Sequence, residues 1–372
     1  MTKIFKSIML LALFVTLISC SKTDTITAPS EETSDKPSKS TIYQDGSDLT
    51  TSQFFFADVN GDGKEDKIWW DYTLSDGSIK VFLATGGGYF STTHVSNYGS
   101  LLSGTKFYFS DVNGDGKADK IYWNTTISGG NIRVYLATGS GYFASTPVEN
   151  SGSTLSTSKF YFADVDGDGK EDKIWWDYTL SDGSIKVFLA TGNGYFSTTH
   201  VSNYGSLLSG TKFYFADVNG DGKADKIYWN TSIVSGAIRV YLATSAGSFA
   251  STPSDSNGST NSSYSFYFAD VDGDEEADKI IWVYGYEQTT MNPYARWYIP
   301  MAVYLAGSGT FDNTVDDHLI TYPEQQGWPY PDPYPIVTMY FADIDGDGND
   351  ERIMWHYQYH DGDLQTNELS DL

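Results

Sequence analysis

Six times along the chain a short aromatic run gives way to an acidic, glycine-rich stretch and then to a run in which apolar and polar positions alternate. The aromatic runs are Phe54–Ala57, Phe107–Ser110, Phe160–Ala163, Phe213–Ala216, Phe266–Ala269 and Met339–Ala342. Near-continuous apolar character over four residues predicts a strand, A, buried on both faces. The alternating run Lys67–Tyr72 predicts a strand B with Ile68 and Trp70 on one face and Lys67 and Trp69 on the other. The same buried pair recurs as Ile121/Trp123, Ile174/Trp176, Ile227/Trp229, Ile280/Trp282 and Ile353/Trp355, so six of the ten tryptophans hold one position. A Ser75-Asp76-Gly77 turn leads to strand C over Ile79–Ala84, and Gly88–Val95 predicts strand D.

The acidic stretches begin at Asp58, Asp111, Asp164, Asp217, Asp270 and Asp343, spaced 53 residues apart four times and then 73. A period of this size means stacked or radial units, each too small to bury its own apolar face. Four short strands per repeat, with aromatic side chains to wedge between neighbouring sheets, predict an all-β fold: a β-propeller of four-stranded antiparallel blades.

Within each stretch the acidic register is constant. Position 1 is the aspartate just named, and position 3 is Asn60, Asn113, Asp166, Asn219, Asp272 or Asp345. Position 5 is Asp62, Asp115, Asp168, Asp221, Asp274 or Asp347, and position 9 is Asp66, Asp119, Asp172, Asp225, Asp278 or Glu351. The backbone carbonyl at position 7 (Lys64, Lys117, Lys170, Lys223, Glu276, Asn349) adds an oxygen. Hard oxygen ligands in this number suit calcium, up to six ions in all, and glycines at positions 4 and 6 let the backbone fold back around the ion. An EF-hand needs a flanking helix and an acid at position 12, where this chain has Trp69, Tyr122, Trp175, Tyr228, Ile281 and Met354. Glu275 replaces the position-6 glycine of the fifth loop and Glu351 the position-9 aspartate of the sixth, so these two loops are expected to hold calcium more weakly.

Residues 160–172, Phe-Tyr-Phe-Ala-Asp-Val-Asp-Gly-Asp-Gly-Lys-Glu-Asp, followed by Gly192-Asn-Gly-Tyr-Phe196, resemble the FG-GAP/VCBS repeat. That family includes the integrin alpha-subunit propeller and some propeller lectins. The resemblance covers residues 41–372 and implies a calcium-loaded propeller whose A–B loops hold the metal through positions 1, 3, 5 and 9 and the position-7 carbonyl.

Copies 1 and 3 are near-identical over more than forty residues, and copies 2 and 4 over much of theirs, which points to a duplicated two-blade unit. The sixth copy runs out inside its strand C. Thr41–Leu49 aligns without gaps to His94–Leu102, so the segment near 37–43 is expected to complete a last blade begun by residues 339–369. Closure then gives six blades, with seven the alternative, and leaves no open edge.

The net charge of −25 is concentrated in the loops and argues against nucleic acid or an anionic membrane surface as partner. Lys3, Lys6, the apolar run Ile8–Ile18 and Leu17-Ile18-Ser19-Cys20 predict a signal peptide over 1–19, and resemble a bacterial lipobox with Cys20 acylated. Residues 20–40 then form a disordered tether of roughly 25 Å, and residues 41–372 the propeller. The expected location is the outer membrane or cell surface, with the lipid at Cys20 as the membrane contact. Cys20 is the only cysteine, so no disulfide braces the chain.

The fifth copy carries two insertions, within Val283–Pro300 and Tyr322–Pro335, which hold seven of the eleven prolines. The B–C turn and the D–A connection of a blade emerge on one rim, opposite the A–B loops, so both insertions crowd one face. Tyr286, Tyr294, Arg296, Trp297, Trp328, Tyr330 and Tyr334 suit a glycan or a protein ligand. Equally, the insertions serve only to cap the ring. A polysaccharide lyase or hydrolase would need acid and base groups there, for which Glu287, Arg296, Asp316, Asp317 and His318 are the candidates. A purely structural envelope subunit is the third reading. The remaining histidines, His94, His200, His356 and His360, lack ligand spacing, and the basic residue at position 10 of each copy (Lys67 to Arg352) is expected to offset the acidic loop.

Overall fold

The computed structural model describes residues 42–367 apart from 234–235, 245, 257, 261, 263, 284, 288–295, 313–316, 322–336 and 357–363. Cys20, the signal segment, the tether, Tyr294, Asp316, Trp328, Tyr330, Tyr334 and His360 lie outside the described residues, as do side-chain details of Tyr286, Glu287, Arg296, Trp297, Asp317, His318 and His356.

The described residues form antiparallel β-structure: four two-stranded hairpins and six larger sheets, each of the latter containing strands in the order A-B-C-D. In the first sheet these are Gln53–Ala57, Asp66–Trp70, Ile79–Phe82 and Val95–Asn97. The second to fourth sheets repeat the plan from Lys106, Lys159 and Lys212. In the fifth, strands B (Asp278–Val283) and C (Arg296–Tyr304) are longer, and C also pairs with Gly285–Glu287 through Tyr286↔Trp297 and Glu287↔Arg296. The insertion between B and C thus extends strand C and turns it into a hairpin. Asp317 and His318 lie on the fifth strand D, opposite Val303 and Ala302.

The sixth sheet joins the chain ends. Val337–Ala342, Glu351–His356 and Leu364–Asn367 supply A, B and C, and Ile42–Gln44 supplies D, paired as Ile42↔Thr366, Tyr43↔Gln365 and Gln44↔Leu364. Of the segment 37–43 expected to close the last blade, 37–41 lies outside the described residues, and the described closing strand is Ile42–Gln44. Leu364, polar though its neighbours are, is fully buried and anchors the strand.

Two expectations about the strands are corrected. Strand D is the short segment Val95–Asn97, while Ala84–Gly86 and Tyr89–Phe90 form a separate two-stranded hairpin. The Asp66 carboxylate takes the Ala84 amide at 2.8 Å, and Gly86, Gly87 and Gly88 all have positive φ, so the chain leaves the C ladder and reverses at once. Strand A buries only two residues fully: Phe54 and Ala57 are covered, while Gln53 is exposed and Phe55 and Phe56 are half-buried.

Those half-buried rings pair from sheet to sheet. Phe55 meets Phe109 at 5.1 Å, Tyr108 meets Phe162, Tyr161 meets Phe215, Tyr214 meets Phe268 and Tyr267 meets Phe341. Tyr340 of the sixth sheet then meets Phe56 of the first at 5.2 Å. Behind them the buried Ile/Trp pairs of strand B fill the space between sheets: Trp70 sits edge-on to Phe107 at 4.9 Å and Trp176 to Phe213 at 5.0 Å. Such aromatic pairs add about 0.5–1.5 kcal/mol each beyond the area they bury.

Polar clamps repeat alongside. The Asn97 amide donates to Gly141 O (2.9 Å) and accepts from Phe143 N (3.1 Å), joining the first sheet to the second. Asn150 and Asn203 do the same one and two repeats on. Gln44 takes this role at the junction of the sixth sheet with the first, through Gly88 O and Phe90 N.

The basic residue at position 10 does something other than expected. Lys67, Lys120, Lys173 and Lys226 are buried, and each Nζ donates to a backbone carbonyl 22 residues upstream, at Asp45, Tyr98, Ser151 and Tyr204. Each also lies 4.0–4.3 Å from an aromatic ring centre, Lys67 over Phe82 and Lys173 over Phe188. Burial lowers these four amines to about 8. They pin the end of the preceding sheet and do not reach the acidic loop.

Candidate metal centre

Each A–B loop begins with an aspartate whose carboxylate folds the turn around itself. Asp58 Oδ1 accepts from the amides of Asn60, Gly61 and Asp62, and Oδ2 from Gly63 at 2.8 Å. The position-6 residue must adopt positive φ to present that amide: Gly63 is at +80° and Gly348 at +96°. Glu275 holds the same conformation with a side chain, at +69°, and its amide still reaches Asp270 Oδ2 at 2.9 Å.

The position-9 carboxylate spans two backbone amides in every loop where it is aspartate. Asp66 accepts from Val59 at 3.1 Å and from Ala84 at 2.8 Å, and Asp119, Asp172, Asp225 and Asp278 repeat both bonds. Glu351 is buried at the same place and accepts from Ile344. Burial pushes these groups up: Asp66 and Asp225 to about 6, Asp119, Asp172 and Asp278 to about 7, Glu351 to about 8. The two amides oppose the shift without cancelling it.

Three loops bring carboxylate oxygens together within 4.8 Å: Asp164, Asp166 and Asp172; Asp270, Asp272 and Asp278; and Asp343, Asp345 and Asp347. Asp168 and Asp274, at position 5, are not in the first two groups, and Glu351 is not in the third. In the first four loops the position-5 carboxylate is instead paired with the position-7 lysine: Asp62 with Lys64, Asp115 with Lys117, Asp168 with Lys170 and Asp221 with Lys223. Spacing in the sequence does not reveal that pairing.

The donor set suits a hard cation. Asn113 Oδ1 and Asp166 Oδ1, both at position 3, are shielded from solvent and have no hydrogen-bond partner. A buried acceptor left unpaired costs about 1–3 kcal/mol, which a cation would relieve. Positions 1, 3, 5 and 9 supply only oxygen, the donor type for calcium or magnesium.

The loops also bind one another, a feature absent from the sequence reading. The position-8 amide of each loop donates to the position-1 carbonyl of the preceding one: Ala118 to Asp58, Glu171 to Asp111, Ala224 to Asp164, Ala277 to Asp217 and Asp350 to Asp270. Glu65 donates to Asp343 at 2.8 Å, so the first loop leans on the sixth. Carboxylates stand at three of these positions. Lost hydration, then the charges of Asp350, Asp343 and Glu171, push Glu65 well above the usual range, while Glu171 is raised to about 8 and Asp350 to about 7.

Of the histidines, His94 and His200 are exposed and lie beside the rings of Phe82 and Phe188 at 5.2 Å.

Six antiparallel sheets of four or five strands, each with an aspartate-rich turn between its first two strands, define a repeat protein of the acidic-loop class. Residues 58–122, 111–175 and 164–228 each match the FG-GAP-like repeat family, every match running from one loop through strand B after the next. Residues 58–228 are thus FG-GAP-like repeats. No curated protein matches the chain. Among solved structures it is similar to part of the Photorhabdus luminescens Tc holotoxin pore carrying a TccC3 D651A mutation, at 16% identity and TM-score 0.58, over 90% of this chain and 14% of that one. It also matches TcdB2-TccC3 at 16% identity and TM-score 0.44, over 88% of this chain and 16% of that one. The chain thus spans about a seventh of the length of these toxin subunits, and the likeness to the holotoxin is one of fold.

Proposed function

We propose that the chain is a calcium-stabilised, six-bladed β-propeller, tethered to the cell envelope through Cys20, that binds a glycan or protein ligand on the rim carrying the fifth-copy insertions. The single observation that carries the ring reading is the cycle of loop hydrogen bonds returning from Glu65 to Asp343. The ring pairs returning from Tyr340 to Phe56 add to it. A closed ring has no exposed sheet edge, which suits an exported chain without a disulfide.

Calcium would sit among the oxygens of positions 1, 3, 5 and 9, and the unpaired Asn113 Oδ1 and Asp166 Oδ1 support that assignment. Its role there is to neutralise clustered carboxylates and hold the A–B turns. The residues of the chain do the rest: the position-1 carboxylate shapes the turn and the position-9 carboxylate ties it to the hairpin after strand C. The glycan part of the reading rests on the tyrosines and tryptophans of the fifth copy named above. The lipid tether rests on the Leu17–Cys20 motif.

A glycan array probed with calcium and with chelator tests the reading. Binding that disappears with chelator, alongside a fall in melting temperature, is the expected result. Binding without any change in melting temperature removes calcium from the account, and no binding under either condition removes the glycan.

A further inference from the structure

We infer that copies 1 and 3 carry a pair of equivalent saccharide-binding pockets, centred on Tyr98 and Tyr204, which engage two units of one neutral polysaccharide. The pockets share a ligand class with the fifth-copy insertions but none of their residues.

Tyr98 and Tyr204 are 86% and 85% exposed, the most solvent-facing of the exposed large apolar residues. Each sits on the lip of a cavity, about 330 Å3 beside Tyr98 and about 540 Å3 beside Tyr204. Eight corresponding residues line both. Those with free chemistry are Asp76, Ser96, Tyr98 and Leu101 in the first, and Asp182, Ser202, Tyr204 and Leu207 in the second. Cavities of this size accept a small ligand of one or two sugar rings.

The floor beneath the ring is rigid backbone. Ser100 N donates to Gly77 O at 2.9 Å, and a Cβ on Gly99 would stand 2.1 Å from that same oxygen, so the B–C turn and the exit of strand D touch with no room for a side chain. Trp70 Nε1 holds Ser100 O at 3.0 Å, and Lys120 Nζ holds the Tyr98 carbonyl at 2.6 Å. Tyr204 is held in the same way by Lys226. A tyrosine on a fixed backbone has only two side-chain torsions to lose on binding.

Structure alone does not require a tyrosine there. Copy 2 builds the same floor, with Gly130 against Gly152, and Lys173 holds the Ser151 carbonyl. Yet its sequence has Ser151 for the tyrosine, Gly129 for the aspartate and Thr154 for the leucine. Copy 4 has Asn257, Ser235 and Thr260 at these places. The aromatic plane, the carboxylate and the leucine are present together in two copies and replaced together in two.

The groups suit a sugar. One ring face and one leucine offer a stacking surface, and the carboxylate and serine hydroxyl beside them accept from and donate to hydroxyls. Ser78 donates to Asp76 through both its amide and its hydroxyl, which orients the carboxylate and holds it below the usual range, as Ser184 does for Asp182. An ionised carboxylate in a chain of net charge −25 disfavours an anionic polymer. Two pockets built on the same eight residues call for the same chemistry presented twice, which a repeating polymer does and a folded protein partner does not. Both lie where the B–C turn meets the D–A connection.

The test is retention of the purified full-length protein, with calcium, on insoluble cellulose, chitin, xylan and starch. Retention on at least one is expected, with Tyr98→Ala or Tyr204→Ala alone weakening it a few-fold. The double variant should weaken it by about tenfold or more, as two linked sites do. Asp76→Asn with Asp182→Asn should weaken it as well, and an unchanged melting temperature would exclude misfolding. Retention on none of the four polymers, or equal retention by the double tyrosine variant, overturns the inference. Loss confined to a Trp297→Ala/Trp328→Ala variant also overturns it while leaving the fifth-copy reading intact. Loss confined to the tyrosine variants supports it and removes the fifth-copy reading.

Discussion

Trp355 donates its indole N–H to the carbonyl of Ser47 at 2.8 Å, across 308 residues, and the same bond joins Trp70 to Ser100 across 30. Trp123, Trp176 and Trp229 repeat it to Ser153, Ser206 and Ser259. The N-terminal segment therefore stands to the sixth repeat as each D–A connection stands to its own repeat. Deleting residues 42–47 should uncover strand Leu364–Asn367 and lower stability by several kcal/mol, since the strand pairing, the Gln44 clamp and the Ser47 acceptor go together. Gln44→Ala alone should cost about 1–2 kcal/mol. Chemical denaturation measures both, and equal stability of the deleted chain would mean that the ends do not close the sixth sheet.

On the calcium reading proposed above, protons and calcium would compete for the position-9 carboxylates. Their folded values of about 6 to 7 lie above the ordinary aspartate value of 3.8, so the folded metal-free protein binds protons more tightly than the unfolded one. That contribution is fully present below about pH 4 and is lost as pH rises through 6 to 7. Over the same interval calcium meets less competition from protons. The gap in melting temperature between calcium-loaded and chelated protein should widen from pH 5 to pH 8. A gap that narrows would count against calcium at these loops.

Asp166→Ala removes a buried oxygen from a converged group, whereas Asp168→Ala removes one engaged with Lys170. Calcium titrated against a chelator dye should show one site lost or strongly weakened in the first variant and a smaller effect in the second. The opposite order would place the ion nearer position 5.

Glu275→Gly should stabilise the metal-free protein by about 1 kcal/mol, because the side chain is held at φ +69° where the other loops have glycine. Thermal unfolding in chelator isolates this effect from metal binding. A destabilised variant would mean that the glutamate makes a compensating contact.

The sequence made the repeat legible because each unit solves one packing problem with the same residues. Ile68 and Trp70, and their five equivalents, could be placed in the core from alternation alone. Asp58 to Asp66 could be placed in a turn from its glycines. Lys67 misled because charge beside an acidic loop suggests pairing, whereas its burial between Phe82 and a carbonyl depends on the neighbouring sheet. The clamps Asn97, Asn150 and Asn203 also act between sheets, so no pattern within one repeat exposes them. Strand D was placed too early because Tyr89 and Phe90 look like strand residues, and they are, in a hairpin of their own.

Lys67→Met would remove the donor to Asp45 while keeping the apolar stem. A loss of about 1–2 kcal/mol is expected at pH 7. The native lysine has a folded value of about 8 against an ordinary 10.5, so its unfavourable charge burial eases as pH rises from 8 to 10. The difference between native and variant should therefore change across that interval and stay constant below it, which denaturation at several pH values will show.

The amide-to-carbonyl contacts linking successive A–B turns all run in one sense, each turn giving to its predecessor and receiving from its successor. An ion that tightens one turn therefore sets the position of a carbonyl on which the next turn depends, and no turn stands at the head of the sequence. In the proposed calcium-bound state the six turns would then act as one coupled series, in which filling any one would reduce the freedom of the two it bonds to.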